Sequence, residues 1–187
     1  MEFILLVCFI LLGLSVAVVM WGIGVYNSLV ALRNDTENAW AQVDVVLRRR
    51  FDLIPNLMET VKGYATHEKD VFEHVAQARA MVSQASGPAA QGQAENMLTG
   101  ALKSLFAVTE AYPDLKANVN FMDMQKQLAA TEGMIAFARQ AYNDSVLALN
   151  TVIQIFPSNI IANRYNFVAK EYYPAEPLAV EAPKVKF

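Results

Sequence analysis

Cysteine appears once in this chain, as Cys8, so no intramolecular disulfide is available, and the thiol lies in an apolar run where it acts as a small hydrophobe. Histidine is nearly as scarce, with only His67 and His74. His67-Glu68 starts like a zinc-protease helix, but Val71 stands where the second histidine of that motif would sit, so there is no metal pair on one face. His74 follows two turns later beside Glu73 and Asp70. The two histidines read as solvent-facing groups on a charged helix face, with a weak metal or pH-sensing site as the alternative. The 8 glycines are scattered and none has the spacing of a phosphate-binding loop. There is no G-x-S-x-G elbow and no strand-like alternation to carry one. A net charge of −3 lacks the basic face that a nucleic-acid binder needs to neutralise phosphates. These absences leave no catalytic, cofactor-binding or metal residue to name, and the chain is expected not to be an enzyme.

Charge is missing altogether from Phe3 to Tyr26, "FILLVCFILLGLSVAVVMWGIGVY". A helix of about 24 residues is about 36 Å long, enough to cross a hydrocarbon core of about 30 Å, so residues 3–26 are expected to sit in the lipid bilayer. Trp21 and Tyr26 suit the headgroup zone at its end. A cleaved signal peptide is the competing reading, since Ser15-Val16-Ala17 has suitable small residues. It lacks a basic leading region, and the apolar run is too long for one. Gly13 and Ala17 have the small-residue spacing that permits close helix approach, a spacing common by chance. Before the span the only charged side chain is Glu2, whereas Arg33 and Arg48 to Arg50 follow it. That bias places the N-terminus outside and the body in the cytoplasm. With 55% hydrophobic residues and a mean hydropathy of +0.24, the composition fits one domain plus a lipid-embedded anchor.

The body is helical in pattern. Leu29, Leu32, Thr36, Ala39, Val43 and Leu47 recur at three- and four-residue steps, continued by Phe51, Ile54, Met58, Val61 and Ala65. Pro55 is expected to bend or restart this helix, with Asp52 available as a cap. Thr66 is the expected cap of a helix over 67–85, and Ser86, Gly87, Pro88 and Gly92 read as an exposed turn. A helix over 93–112 follows, stopped by "AYPDLKAN". From Phe121 through Leu128, Ile135, Tyr142 and Leu149 to Phe156 one apolar seam runs without a slip, predicting a helix that Pro157 ends. Ser158 is the expected cap of a short turn through Ile160 and Ile161. The closing "EYYPAEPLAVEAPKVKF" carries three prolines and reads as extended or disordered. The fold class is therefore all-α: a transmembrane anchor over 1–26, an antiparallel bundle of about four helices over 27–165, and a proline-rich tail over 166–187.

One polar constellation stands out. Arg49, Asp52, Asn56 and Glu59 share a helix face, and on the last long helix Glu132, Arg139, Asn143 and Asn150 do likewise. If the stripes face each other, Asp52 or Glu59 pairs with Arg139 and Arg49 with Glu132; otherwise both are solvated outer faces. Within "RRRFDLIPNL" Arg48 and Arg50 are the more exposed candidates for contact with a partner. A lipid role for these arginines fails on distance, since an upright helix sets them about 33 Å past the membrane edge, far beyond a Debye length of about 8 Å.

The blocks "YNSLVALRN", "AWAQVDVVLRRRFDLIPNLMETVKGYATHE", "EAYPDLKANVNF", "LAATEGMIAFARQAYNDSVLALN" and "FPSNIIA" are similar to the successive signature blocks of the LemA family of bacterial membrane proteins. The resemblance covers about residues 26 to 162; Gly133, inside a helix pattern, is a small departure. It implies a short extracytoplasmic N-terminus, one span of the bacterial inner (cytoplasmic) membrane, and a mirror-variant, bromodomain-like, up-and-down four-helix bundle in the cytoplasm. It implies no reaction and no cofactor. Relatives are associated with membrane remodelling and with neighbouring membrane peptidases. The expected function is a membrane-anchored scaffold or interaction protein that meets a protein partner or copies of itself, with no small-molecule substrate. An accessory subunit or regulator of a membrane enzyme such as a peptidase is the alternative, and a hydrolase a distant third.

Overall fold

The computed structural model describes residues 1–174, which hold six helices and no strand. They are α1 (Glu2–Lys62), α2 (Lys69–Gln84), α3 (Pro88–Thr109), α4 (Pro113–Lys116), α5 (Val119–Gln154) and α6 (Ser158–Arg164). The chain divides into two compact units. The first is Met1–Trp40 with Asn143–Lys170, and the second is Ala41–Tyr142 with the segment from Glu171.

In α1 an 18-residue window has mean hydropathy 3.1 with none of it buried, so this helix is long and apolar enough to cross a membrane. The helix does not break at residue 26, and the boundary between 1–26 and 27–165 falls inside one continuous element. Neither does it restart at Pro55, one of the two outcomes, bend or restart, expected there from sequence. Proline forfeits one helical hydrogen bond and crowds the preceding turn. Here Ile54 and Leu57 on either side are fully buried, and their packing holds the helical path. Asp52, with no new helix start to cap, is exposed.

The second unit has an apolar core shared among its helices. Ile54, Leu57 and Val61 of α1, Phe72, Val75 and Val82 of α2, Leu98, Leu102 and Leu105 of α3, Leu115 of α4, and Phe121 and Leu128 of α5 pack together. On each long helix these residues recur at steps of three, four or seven, which puts them on a single face. Gly87, at φ 82, sits just before α3 and Pro88 opens it, a pairing suited to the left-handed freedom of glycine and the fixed φ of proline. The helix therefore starts at Pro88, not near Gln93, and Gly92 lies inside it. α2 starts at Lys69, with Glu68 and not Thr66 at its N-cap. Asn118 caps α5, its Oδ1 accepting the Phe121 N–H at 3.1 Å.

In the first unit Leu29, Leu149 and Ala162 form the buried centre, with Val25, Leu32, Val152, Ile161 and Phe167 packed around them. The Thr36 hydroxyl lies 3.3 Å from the Ser145 carbonyl. After Gln154 the chain turns by 95° into α6. Ser158 does not cap α6 as expected: its hydroxyl faces the Val152 carbonyl at 2.7 Å and that of Ile155 at 3.0 Å, serving the open end of α5. Residues 166–174 are non-helical, and the part of the tail beyond 174 lies outside the described residues.

Candidate functional site

The seam of α1 has a seven-residue beat. Leu29, Thr36, Val43, Arg50 and Leu57 occupy one row, and Leu47, Ile54 and Val61 the next, all buried. Arg50 thus stands where a core residue belongs. On α3 the row Glu95, Leu102 and Thr109 has the same spacing, which buries Glu95. The guanidinium of Arg50 donates from Nη1 to Glu95 Oε2 at 3.0 Å and from Nη2 to Thr99 Oγ1 at 2.8 Å. Nη2 also pairs with Glu132 Oε1 on α5 at 2.8 Å. Arg50 and Glu95 are each 1% exposed, while Glu132 is 43% exposed. One planar cation therefore fastens α1, α3 and α5, with the fork of donors that an arginine offers and a lysine does not.

Burial dominates the electrostatics of Glu95. Loss of water pushes its carboxyl above the ordinary 4.5, with Arg50 and then Arg139 pulling it back and Glu132 adding to the rise. Among the described residues its buried Oε1 has no partner in hydrogen-bonding geometry, although the nearby Gln91 side chain also helps to hold the carboxyl down.

Beside this cluster runs the segment from Glu171 to Pro174. The Tyr142 hydroxyl donates to the Glu171 carbonyl at 2.8 Å. Tyr173 is buried, with the Arg139 guanidinium 4.6 Å from its ring centroid. Burial pushes the Tyr173 phenol up to about 12, against the pull of Arg139. Gly92 is required here: a Cβ on it would run into the Pro174 ring and lie 3.1 Å from Tyr173 Cε1. A residue that reads as a chain breaker is instead the floor on which the tail segment lies.

The structure corrects the polar stripes. Arg50, expected to be exposed, is the buried arginine; Arg49, expected to meet Glu132, is exposed with its Nη1 3.9 Å from Met134 Sδ. Asp52, Asn56 and Glu59 face outward. Glu132 does reach α1, through Arg50. Arg139 meets Tyr173, and Asn150 pairs with the backbone of Lys170. Arg48 is exposed, 3.7 Å from Asp44. His67 and His74 are exposed as well. Near Pro55 the Arg79 guanidinium of α2 lies 3.9 Å over the Phe51 ring, tying α2 to α1 by stacking. Chemically, the Arg50 cluster offers mutual neutralisation among helices.

These features define an all-helical protein whose first helix is long and apolar enough to cross a membrane and whose helices are fastened by a buried arginine. The chain belongs to the LemA family, whose model it matches over residues 39–187. It is similar to magnetosome protein MamQ 2 of Paramagnetospirillum magneticum, 26% identical over 178 residues, covering 81% of this chain and 65% of the relative. It is also similar to magnetosome protein MamQ of Magnetospirillum gryphiswaldense, 25% identical with the same coverage. Protein LemA of Metamycoplasma hominis is 25% identical over 146 residues, 76% of this chain and 65% of the relative. The chain thus spans less than two thirds of the length of these relatives.

Proposed function

We propose that this chain is a membrane-anchored helical scaffold, held in the bacterial inner membrane by residues 3–26 and presenting its body to a protein partner or to copies of itself. The observation that carries this reading is α1 itself: one uninterrupted helix holds both an unburied apolar stretch and residues of the body's core. The excess of arginine after the apolar stretch supports an outside N-terminus and a cytoplasmic body. The finer architecture belongs to the same proposal: an antiparallel, up-and-down four-helix bundle of the mirror, bromodomain-like kind, made by α1, α2, α3 and α5. The shared core of those helices supports it. No enzymatic role is proposed, since the charged groups brought together around Arg50 are spent on one another.

Site-specific photocrosslinking of the full chain in native membranes, with assembly mass measured after gentle extraction, tests the scaffold reading. A stoichiometric adduct with one partner or a defined homo-oligomer is expected; monomer alone at every position overturns it. A reporter fused to the C-terminus tests orientation, and activity on the extracytoplasmic side would reverse the placement.

A further inference from the structure

We propose that the corner between α5 and α6 is a second membrane contact, with Phe156 and Ile160 seated in the headgroup and upper acyl zone of the leaflet in which the apolar stretch of α1 ends, near Tyr26. This rests on reading residues 3–26 as the span. Ile155, Phe156, Ile160 and Tyr165 are 51%, 79%, 56% and 57% exposed, an apolar face that the described residues leave largely open. From Ile155 to Val168 the only charged side chain is Arg164.

The occupant of that face follows from where it sits. Ile161 packs at Gly22, where a Cβ would be 3.6 Å from its Cδ1. The ring of Tyr165 stands 4.8 Å from that of Tyr26, edge to face. Val18, Val19 and Ile23 line the same groove with Ile161 and Tyr165. Gly22 lies about 6 Å along the helix before Tyr26, on the lipid side of it. Helices that lie in the membrane interface bury their apolar faces to about 5–10 Å, so α6 is at the depth that such a helix occupies. The 95° turn from α5 swings α6 across the direction of α5. Tyr26, Tyr165, Phe167, Arg33 and Arg164 surround it with the aromatic rings and cations that favour the wet edge of a bilayer.

The test uses the full chain in liposomes, with Cys8→Ser and one new cysteine at a time carrying an environment-sensitive fluorophore: Phe156→Cys, Ile160→Cys, Leu12→Cys for the middle of the span, and Asn38→Cys for water. Quenchers attached to lipids at shallow and at deep positions, and iodide in the buffer, report the depth. Positions 156 and 160 are expected to lose most of their emission to the shallow lipid quencher and little to iodide, with position 12 answering the deep quencher and position 38 answering iodide. Quenching of 156 and 160 by iodide, as at position 38, overturns the contact while leaving the span intact. Protection of both from every quencher also overturns it, and points to protein covering the face. Failure of position 12 to answer the deep quencher removes the span itself, and the second contact with it.

Discussion

Arg50 and Glu95 meet at 3.0 Å, each 1% exposed, on seam positions that their helices otherwise give to aliphatic residues and threonine. A buried pair of this kind gains Coulomb energy and loses hydration in similar amounts, so its removal and its breakage have opposite consequences. Arg50→Ala leaves Glu95 buried without its main cation and is expected to cost about 3–5 kcal/mol of stability. Arg50→Met with Glu95→Leu removes both charges and is expected to be neutral or to stabilise by about 1–4 kcal/mol. Arg49→Ala, at an exposed position, should stay within about 0.5 kcal/mol of the parent. Denaturant unfolding of the full chain in detergent, followed by circular dichroism, ranks the variants; equal midpoints for Arg49→Ala and Arg50→Ala would remove Arg50 from the fastening role.

Glu95 also makes a prediction about pH. Burial raises its carboxyl above the ordinary 4.5, so the folded chain holds this proton more tightly than the unfolded chain. The corresponding stability is fully present below the unfolded value and is lost as pH rises through the raised folded value. Glu95→Gln has no such proton. The unfolding free energy of the parent minus that of Glu95→Gln should therefore fall as pH is raised from just below 4.5. A difference that rises with pH over that window would mean that Arg50 and Arg139 outweigh burial.

Much of this fold is legible in the amino-acid order, because apolar spacing alone decides it. The uncharged stretch from Phe3 and the seam from Phe121 to Leu149 follow from hydropathy and apolar spacing, but the seam expected to run on to Phe156 stops short, since α5 ends at Gln154 and Phe156 is 79% exposed. Arg50 was hidden for the opposite reason: a hydrophobic criterion skips arginine and slides the seam to Phe51. The seven-residue beat through Val43, Arg50 and Leu57 keeps it in place, and the same beat finds Glu95 on α3. Glu132 and Arg139 declare a polar face from spacing, but their partners come from elements far apart in the chain. Gly92 could not be read locally at all, since its need for a missing side chain is set by Tyr173 and Pro174.

That contact predicts a divided response among helical glycines. Gly92→Ala pushes against the Pro174 ring and Tyr173, and overpacking of this sort is expected to cost about 1–3 kcal/mol and to speed hydrogen exchange at the Glu171, Tyr172 and Tyr173 amides. Gly100 and Gly133 are also inside helices, but a Cβ at either meets nothing within 4 Å. Gly100→Ala and Gly133→Ala should each stabilise by about 0.5–1 kcal/mol through reduced backbone freedom in the unfolded chain. The same sign for all three substitutions in thermal unfolding would contradict the docking of Pro174 on Gly92.

In the first unit Asn150 performs for one residue what a neighbouring strand performs for many. Its Nδ2 donates to the Lys170 carbonyl at 2.9 Å and its Oδ1 accepts the Lys170 N–H at 2.9 Å, so one buried amide satisfies both backbone groups of a non-helical residue. The other hold on Lys170 is weak, a 3.9 Å approach of its Nζ to Glu37 between partly exposed side chains. Asn150→Ala removes donor and acceptor together, and at about 0.5–1.5 kcal/mol for each lost hydrogen bond the local stability of this segment should drop by about 1–3 kcal/mol. The Lys170 amide should then exchange about 5- to 150-fold faster, while amides at the buried centre of α5, such as Leu149, keep their parent rates. Asn150→Asp separates the two bonds: a carboxylate still accepts the Lys170 N–H but faces the Lys170 carbonyl with no donor, so protection of that amide should fall between the parent and Asn150→Ala near neutral pH. Full protection of Lys170 in Asn150→Ala would mean that this stretch of chain is held by contacts other than Asn150, such as the ring contacts of Phe167.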